Sequence, residues 1–144
     1  MGQDWQLADI ARAHSQDMLL NDFFEHENLS GQTAVYRGND VGYTCVKNFG
    51  DFFTEGISEN IFQGYLYSSF NAQRWNYLAR EEPAFKVVDD WMNSPGSREN
   101  ILTETYDREG IGVVVGERVG LGNSEFLLVV SVSLRFMYGL TIQV

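Results

Sequence analysis

A chain of 144 residues with 44% apolar and 14% aromatic side chains carries enough material for one packed core, which excludes intrinsic disorder. Ten basic against twenty acidic side chains give a formal charge of −10, which sets the chain against phosphate backbones and anionic membrane surfaces, so no nucleic-acid partner is expected. One cysteine, Cys45, excludes an internal disulfide, and the most apolar run, Phe126 to Leu134, is too short for a transmembrane helix and meets Arg135.

In chain order, no n-region and h-region opens the sequence, so no signal peptide is expected. Leu7, Ile10, Ala11, His14 and Met18 recur at helical spacing and predict a helix from about Trp5 to Leu20, with these side chains on one face. His14 on that apolar face reads as a structural, hydrogen-bonded histidine rather than a ligand. Phe23 and Phe24 are expected to anchor a loop that leaves His26 in polar, acid-flanked surroundings. Ser30 or Thr33 can cap a short helix running through Arg37 and ended by Gly38. Residues 38 to 57, rich in glycine and asparagine, predict a long exposed connection that contains Cys45. No histidine lies close enough in sequence to activate that thiol, and a small buried or half-buried side chain is the expectation.

Ser58-Glu59-Asn60-Ile61 sets an acid and an amide beside an apolar anchor, and Tyr65, Tyr67, Phe70, Trp75 and Tyr77 follow as an aromatic-rich core layer. A second helix is predicted over about Glu81 to Asn93, with Pro83 in its first turn and Phe85, Val88, Trp91 and Met92 facing the core. Asp89 and Asp90 fall on its solvated side. Ser94-Pro95-Gly96 stops it, and Ser97 is expected to cap a short further helix. Strands are predicted at Gly110 to Gly116, Phe126 to Phe136 and Leu140 to Val144, with Gly120 to Asn123 as a hairpin connection. The G-x-G spacing lacks the helix and acidic residue of a dinucleotide site, and there is no G-x-S-x-G, no H-E-x-x-H and no cysteine pair. Residue types alone leave His26 and Glu59 as the candidate polar centre.

Four segments in order resemble the CAP superfamily, which holds cysteine-rich secretory proteins, antigen 5 and plant pathogenesis-related proteins, and within it the short SCP-like domains of bacteria and archaea. They are Ala11-Arg12-Ala13-His14-Ser15-Gln16-Asp17-Met18 with Phe23-Phe24-Glu25-His26, then Ser58-Glu59-Asn60-Ile61, then Val88 to Leu102 around Asn93-Ser94-Pro95-Gly96-Ser97-Arg98, and finally Gly110-Ile111-Gly112-Val113. The resemblance implies an α+β fold over residues 1–144, an α-β-α sandwich with a small antiparallel sheet between helices. It also implies a helix ahead of Trp5 that these 144 residues do not contain. It further implies a cleft with two histidines and two acids: His26 matches the first histidine and Glu59 the acid of G-E-N. Ser97 stands where the family has its second histidine, and Asn93 and Ser94 stand near the second acid.

Zinc-like ions suit imidazole and carboxylate, but two donors fall short of the three or four that zinc takes, so His26 and Glu59 are expected to bind a divalent metal weakly. The expectation is a non-catalytic module for an unknown protein or lipid-like ligand, leaning away from an enzyme, with His26, Glu59, Asn60 and Ser97 around a degenerate cavity. The alternatives are a metal-assisted or His–Glu hydrolase of peptide or cell-wall material, and a domain that self-assembles through its C-terminal strands as a homo-oligomer. The resemblance implies an extracellular or cell-surface location.

Overall fold

The structure is a computed structural model that describes residues 2–44, 46–48, 53–71, 74–79, 81–104, 106–119 and 124–136. The elements in order are β1 (Gly2–Gln3), α1 (Trp5–Leu20), α2 (Ala34–Asp40), β2 (Val46–Asn48), β3 (Phe53–Glu55), β4 (Ile57–Tyr65), β5 (Tyr67–Asn71), β6 (Arg74–Tyr77), α3 (Glu82–Asn93), α4 (Pro95–Leu102), β7 (Tyr106–Val119) and β8 (Ser124–Phe136). The fold is α+β. A four-stranded sheet runs in the order β1-β7-β8-β4, antiparallel except for the two-residue parallel pairing of β1 with β7. Two small hairpins, β2-β3 and β5-β6, stand beside it.

Strand alternation in β4 sorts the helices. Ile57 packs with Leu7, Ile10, Ala34 and Tyr43, from α1, α2 and the turn after it. Phe62, on the opposite face, packs with Val87, Trp91 and Tyr106, and with the partly buried Ile101 of α4. Helices α1 and α2 therefore lie against one face of β4, and α3 and α4 against the other. The Trp91 indole N–H ties α3 to the strand by donating to the Ile61 carbonyl at 2.9 Å.

Helix α1 starts where Asp4 Oδ1 accepts from the Gln6 and Leu7 amides, and its buried set is Leu7, Ile10, Ala11, His14, Ser15 and Met18, the face expected from spacing. It lies on the backbone of β7. A Cβ added at Gly110 would stand 2.1 Å from the Ala8 nitrogen, and one at Gly112 would stand 2.1 Å from the Arg12 nitrogen. The Ser15 hydroxyl donates to the Gly112 carbonyl across this contact at 3.3 Å.

Several expectations need correction. Helix α2, capped by Thr33 as expected, does not end at Gly38 but continues to Asp40. Gly38 is buried within it because a Cβ there would meet Ile57 Cδ1 at 2.5 Å, so the glycine serves close packing and not helix termination. Residues 38 to 57 are not one open connection: they contain the β2-β3 hairpin, and Tyr43 belongs to the core. Helix α3 buries Val87 and Trp91, whereas Phe85 is 73% and Val88 53% exposed. Its apolar residues form two stripes, and the sheet covers one of them. Helix α4 opens with Ser94 at its N-cap and Pro95 in its first turn, so Ser97 lies inside it and does not cap it. Cys45, Gly120 to Asn123 and Leu140 to Val144 lie outside the described residues, although β7 and β8 pair from Val119 opposite Ser124 as a hairpin requires.

Candidate functional site

The site forms where the loop between α1 and α2 folds over β4. Asp22, at φ 55°, turns the chain after α1. Asn28 then organises the loop: its Oδ1 accepts from the Ser30 and Gln32 amides, and its Nδ2 donates to Gln32 Oε1. This carries His26 back over the strand. The period of β4 places Glu59 on the same face as Ile57, which leaves a carboxylate with 2% of its side-chain surface exposed.

Three side chains converge on that carboxylate. Arg37 Nη2 donates to Oε1 at 2.6 Å, and the His26 Nδ1–H donates to Oε2 at 3.2 Å. His14 Nε2 stands 3.7 Å from Oε2, beyond hydrogen-bond distance. Arg37 Nη1 also donates to the carbonyls of His26 and Gln32, both at 2.9 Å, so one guanidinium holds the loop and the acid together.

The two histidines titrate in opposite directions. His26, whose side chain is 61% exposed, has its pKa raised, first by the hydrogen bond to Glu59, with burial opposing. His14 is buried and its pKa is lowered, first by desolvation, with Glu59 opposing and Arg37 reinforcing. Its Nε2 contacts the Glu25 carbonyl at 2.9 Å. A carbonyl can only accept, so Nε2 carries the hydrogen and Nδ1 keeps a bare lone pair in the interior, the neutral tautomer that burial favours. His14 is the structural histidine that its position on the apolar face implied.

Asn60, next in the strand, points to the other face. Its Nδ2 donates to the Ser97 carbonyl at 3.0 Å, and its Oδ1 accepts from Asn100 Nδ2 at 2.9 Å. The four residues singled out from sequence thus fall into two contacts, His26 with Glu59 and Asn60 with Ser97, joined through the Glu59–Asn60 backbone. A cavity of ≈ 260 Å³ adjoins the first, lined by His26, Thr33, Ala34, Val35, Ile57 and Glu59. It is below the usual size of a small-molecule pocket.

Sequence reasoning missed Arg37. A lone arginine near the end of a short helix reads as solvated. The signal that could have found it lies in β4, where alternation puts Glu59 on the apolar side with Ile57, and a buried acid needs a cation. The donor set does not fit a tight zinc site. Zinc takes three or four protein ligands, whereas here a guanidinium occupies one carboxylate oxygen and repels a second cation. Among the described residues, no group of three or more His, Cys, Asp or Glu side chains could hold a metal ion.

The model of the cysteine-rich secretory protein (CAP) family matches residues 2–131. An uncharacterized protein of Bacillus subtilis strain 168, YkwD, is 32% identical over 112 residues, which cover 77% of this chain and 34% of YkwD. A 1.5 Å crystal structure of an extracellular protein containing an SCP domain, from Bacillus anthracis strain Ames, superposes with a TM-score of 0.58 at 22% identity. That match covers 95% of this chain and 34% of the other. The chain thus spans about a third of the length of each of these two proteins. No helix among the described residues is long and apolar enough to cross a membrane. The family match over most of the chain, with the SCP-like fold around it, makes this chain a member of the CAP family.

Proposed function

We infer that the domain is a non-catalytic binding module whose family cavity has been converted from a metal or catalytic centre into a structural charge cluster. The observation that carries this reading is the 2.6 Å contact of Arg37 with the buried Glu59 carboxylate. A guanidinium there neutralises the acid, holds the His26 loop and leaves no second anionic donor for an ion. Ser97, at the position where the family carries its second histidine, removes the other ligand. An extracellular setting, as described for the Bacillus anthracis neighbour, agrees with this role.

Calorimetric titration of metal-stripped protein with zinc tests the reading. The wild type should show no binding tighter than about 100 μM, weaker by several kcal/mol than a structural zinc site. Binding below about 1 μM that His26→Ala abolishes would overturn it.

A second reading rests on the 3.2 Å contact between His26 Nδ1 and Glu59 Oε2. In a His–Glu hydrolase Glu59 would orient the imidazole and leave Nε2 at the exposed surface as general base, while Ser97, held by Asn60 on the other face of β4, would take no part. Release of amines or reducing sugars from peptide or cell-wall material, lost in His26→Ala, would favour it. Turnover equal in wild type and His26→Ala would remove it.

A further inference from the structure

A groove larger than the cavity beside His26 lies between α1 and α2. It encloses ≈ 490 Å³, against ≈ 260 Å³ beside His26. The two helices are tied together where the Tyr43 hydroxyl, in the turn after α2, donates to Oδ2 of Asp4, the N-cap of α1, at 2.9 Å. Ile10 forms an apolar floor, Ala13 and the exposed Val41 continue it, and Trp5 stands over it with 73% of its surface in solvent. Asp9 and Asp40 supply the charge.

Each charge has a different status. The Arg37 guanidinium that lines the groove is neutralised by Glu59 behind it. Asp9 pairs with Arg12 at 2.6 Å, but both side chains are more than half exposed, and such a pair exchanges at little cost. Asp40 makes no ion pair among the described residues. The groove therefore combines an exposed indole face, an apolar floor and one or two available carboxylates. These are the three elements that recognise an organic cation with an apolar stem: a ring quadrupole for the charge, carboxylates for its N–H groups and apolar wall for its methylenes.

We propose that the α1/α2 groove binds an arginine or lysine side chain presented by a basic segment of a partner protein. A chain with a net charge of −10 steers such a partner toward itself and repels anionic lipid and nucleic acid. The proposal rests on the binding-module reading and gives it a surface and a partner chemistry.

The test uses ¹⁵N-labelled protein and a terminally blocked arginine-leucine-arginine tripeptide, with the citrulline version as the neutral isostere. The Trp5 indole N–H and the Asp40 and Val41 amides should shift saturably, with a dissociation constant on the order of 1 mM for so small a probe. Asp40→Asn and Trp5→Ala should each weaken binding by roughly three- to tenfold, and the citrulline peptide should bind at least as weakly. Both replaced side chains are exposed, so an unchanged circular dichroism melt will show that the fold is intact. Equal binding of the citrulline peptide, shifts centred on His26 and Thr33 instead, or no saturable shift by about 10 mM would overturn the proposal. Tight zinc binding or His26-dependent hydrolysis would remove the non-catalytic reading while leaving the result at this groove unchanged.

Discussion

A carboxylate with 2% of its surface exposed stays charged only with partners, and Glu59 draws three ionisable neighbours onto one atom pair. Arg37 is the dominant partner because it is closest and itself only 11% exposed. Arg37→Met removes the guanidinium and leaves the acid without its cation, which should cost about 3–5 kcal/mol in urea unfolding. Adding Glu59→Gln should return part of that loss, because the uncompensated charge is then gone. A loss below about 0.5 kcal/mol in Arg37→Met would mean that the contact behaves like an exposed pair.

His26 gives the same cluster a pH dependence. Its folded pKa is raised above 6.5, so its contribution is complete below that value and disappears as pH rises through the folded value. His14 has the opposite sign: its folded pKa is lowered, so its contribution is complete above 6.5 and fades as pH falls toward the folded value. The stability difference between wild type and His26→Gln isolates the first. It should be larger at about pH 6 than at about pH 8.5, and a difference that grows with pH would contradict the raised pKa. Because His26 is largely exposed, the change should be small, in the range of an exposed ion pair.

At the scale of elements, helix α1 and strand β7 depend on each other through two glycines. The approach of 2.1 Å at both Gly110 and Gly112 is to helix backbone, which cannot rotate aside as a side chain can. Gly112→Ala must therefore push the whole helix off the strand, and a loss of about 3 kcal/mol is expected by chemical denaturation, at the upper end of ordinary overpacking. Gly96→Ala is the control: nothing lies within 4 Å of a Cβ there, so it should be close to neutral.

This contact also shows what can be read from sequence. The period of Leu7, Ile10, Ala11, His14 and Met18 reveals the helix and its buried face because local periodicity and tertiary burial agree there. The close approach at Gly110 and Gly112 is non-local, and G-x-G spacing in a strand carries no record of what passes over it. Helix α3 shows the same limit: Trp91 is buried as its spacing predicts, but Val87 joins it in place of Phe85 and Val88, and only the position of the sheet decides between them. The three-residue strands β2 and β3 are too short to rise above their glycine- and asparagine-rich surroundings. At the site, His26 and Glu59 were legible as polar residues beside apolar anchors, whereas Arg37 was legible only through the burial of an acid 22 residues later.

At the scale of the whole molecule, twenty acidic side chains face ten basic ones, and Glu59 alone takes part in three ion pairs. The remaining acids, exposed Asp89 and Asp90 among them, repel one another in the compact state and less so in the expanded one. Added salt acts on these two populations differently. It screens exposed charges separated by more than a Debye length of about 8–10 Å at ordinary ionic strength, and it reaches the buried Arg37–Glu59 contact much less. The balance favours stabilisation: raising sodium chloride from about 20 to 500 mM should raise the melting temperature by about 4 °C, equivalent to roughly 1 kcal/mol for a domain of this size. Potassium chloride should do the same, since the effect is screening and not specific ion binding. A melting temperature that fell with salt would show that attraction outweighs repulsion, placing more of the stability in exposed pairs than the geometry around Glu59 implies. The same screening should weaken capture of the arginine peptide in the α1/α2 groove, so stability and binding should move in opposite directions along one salt titration.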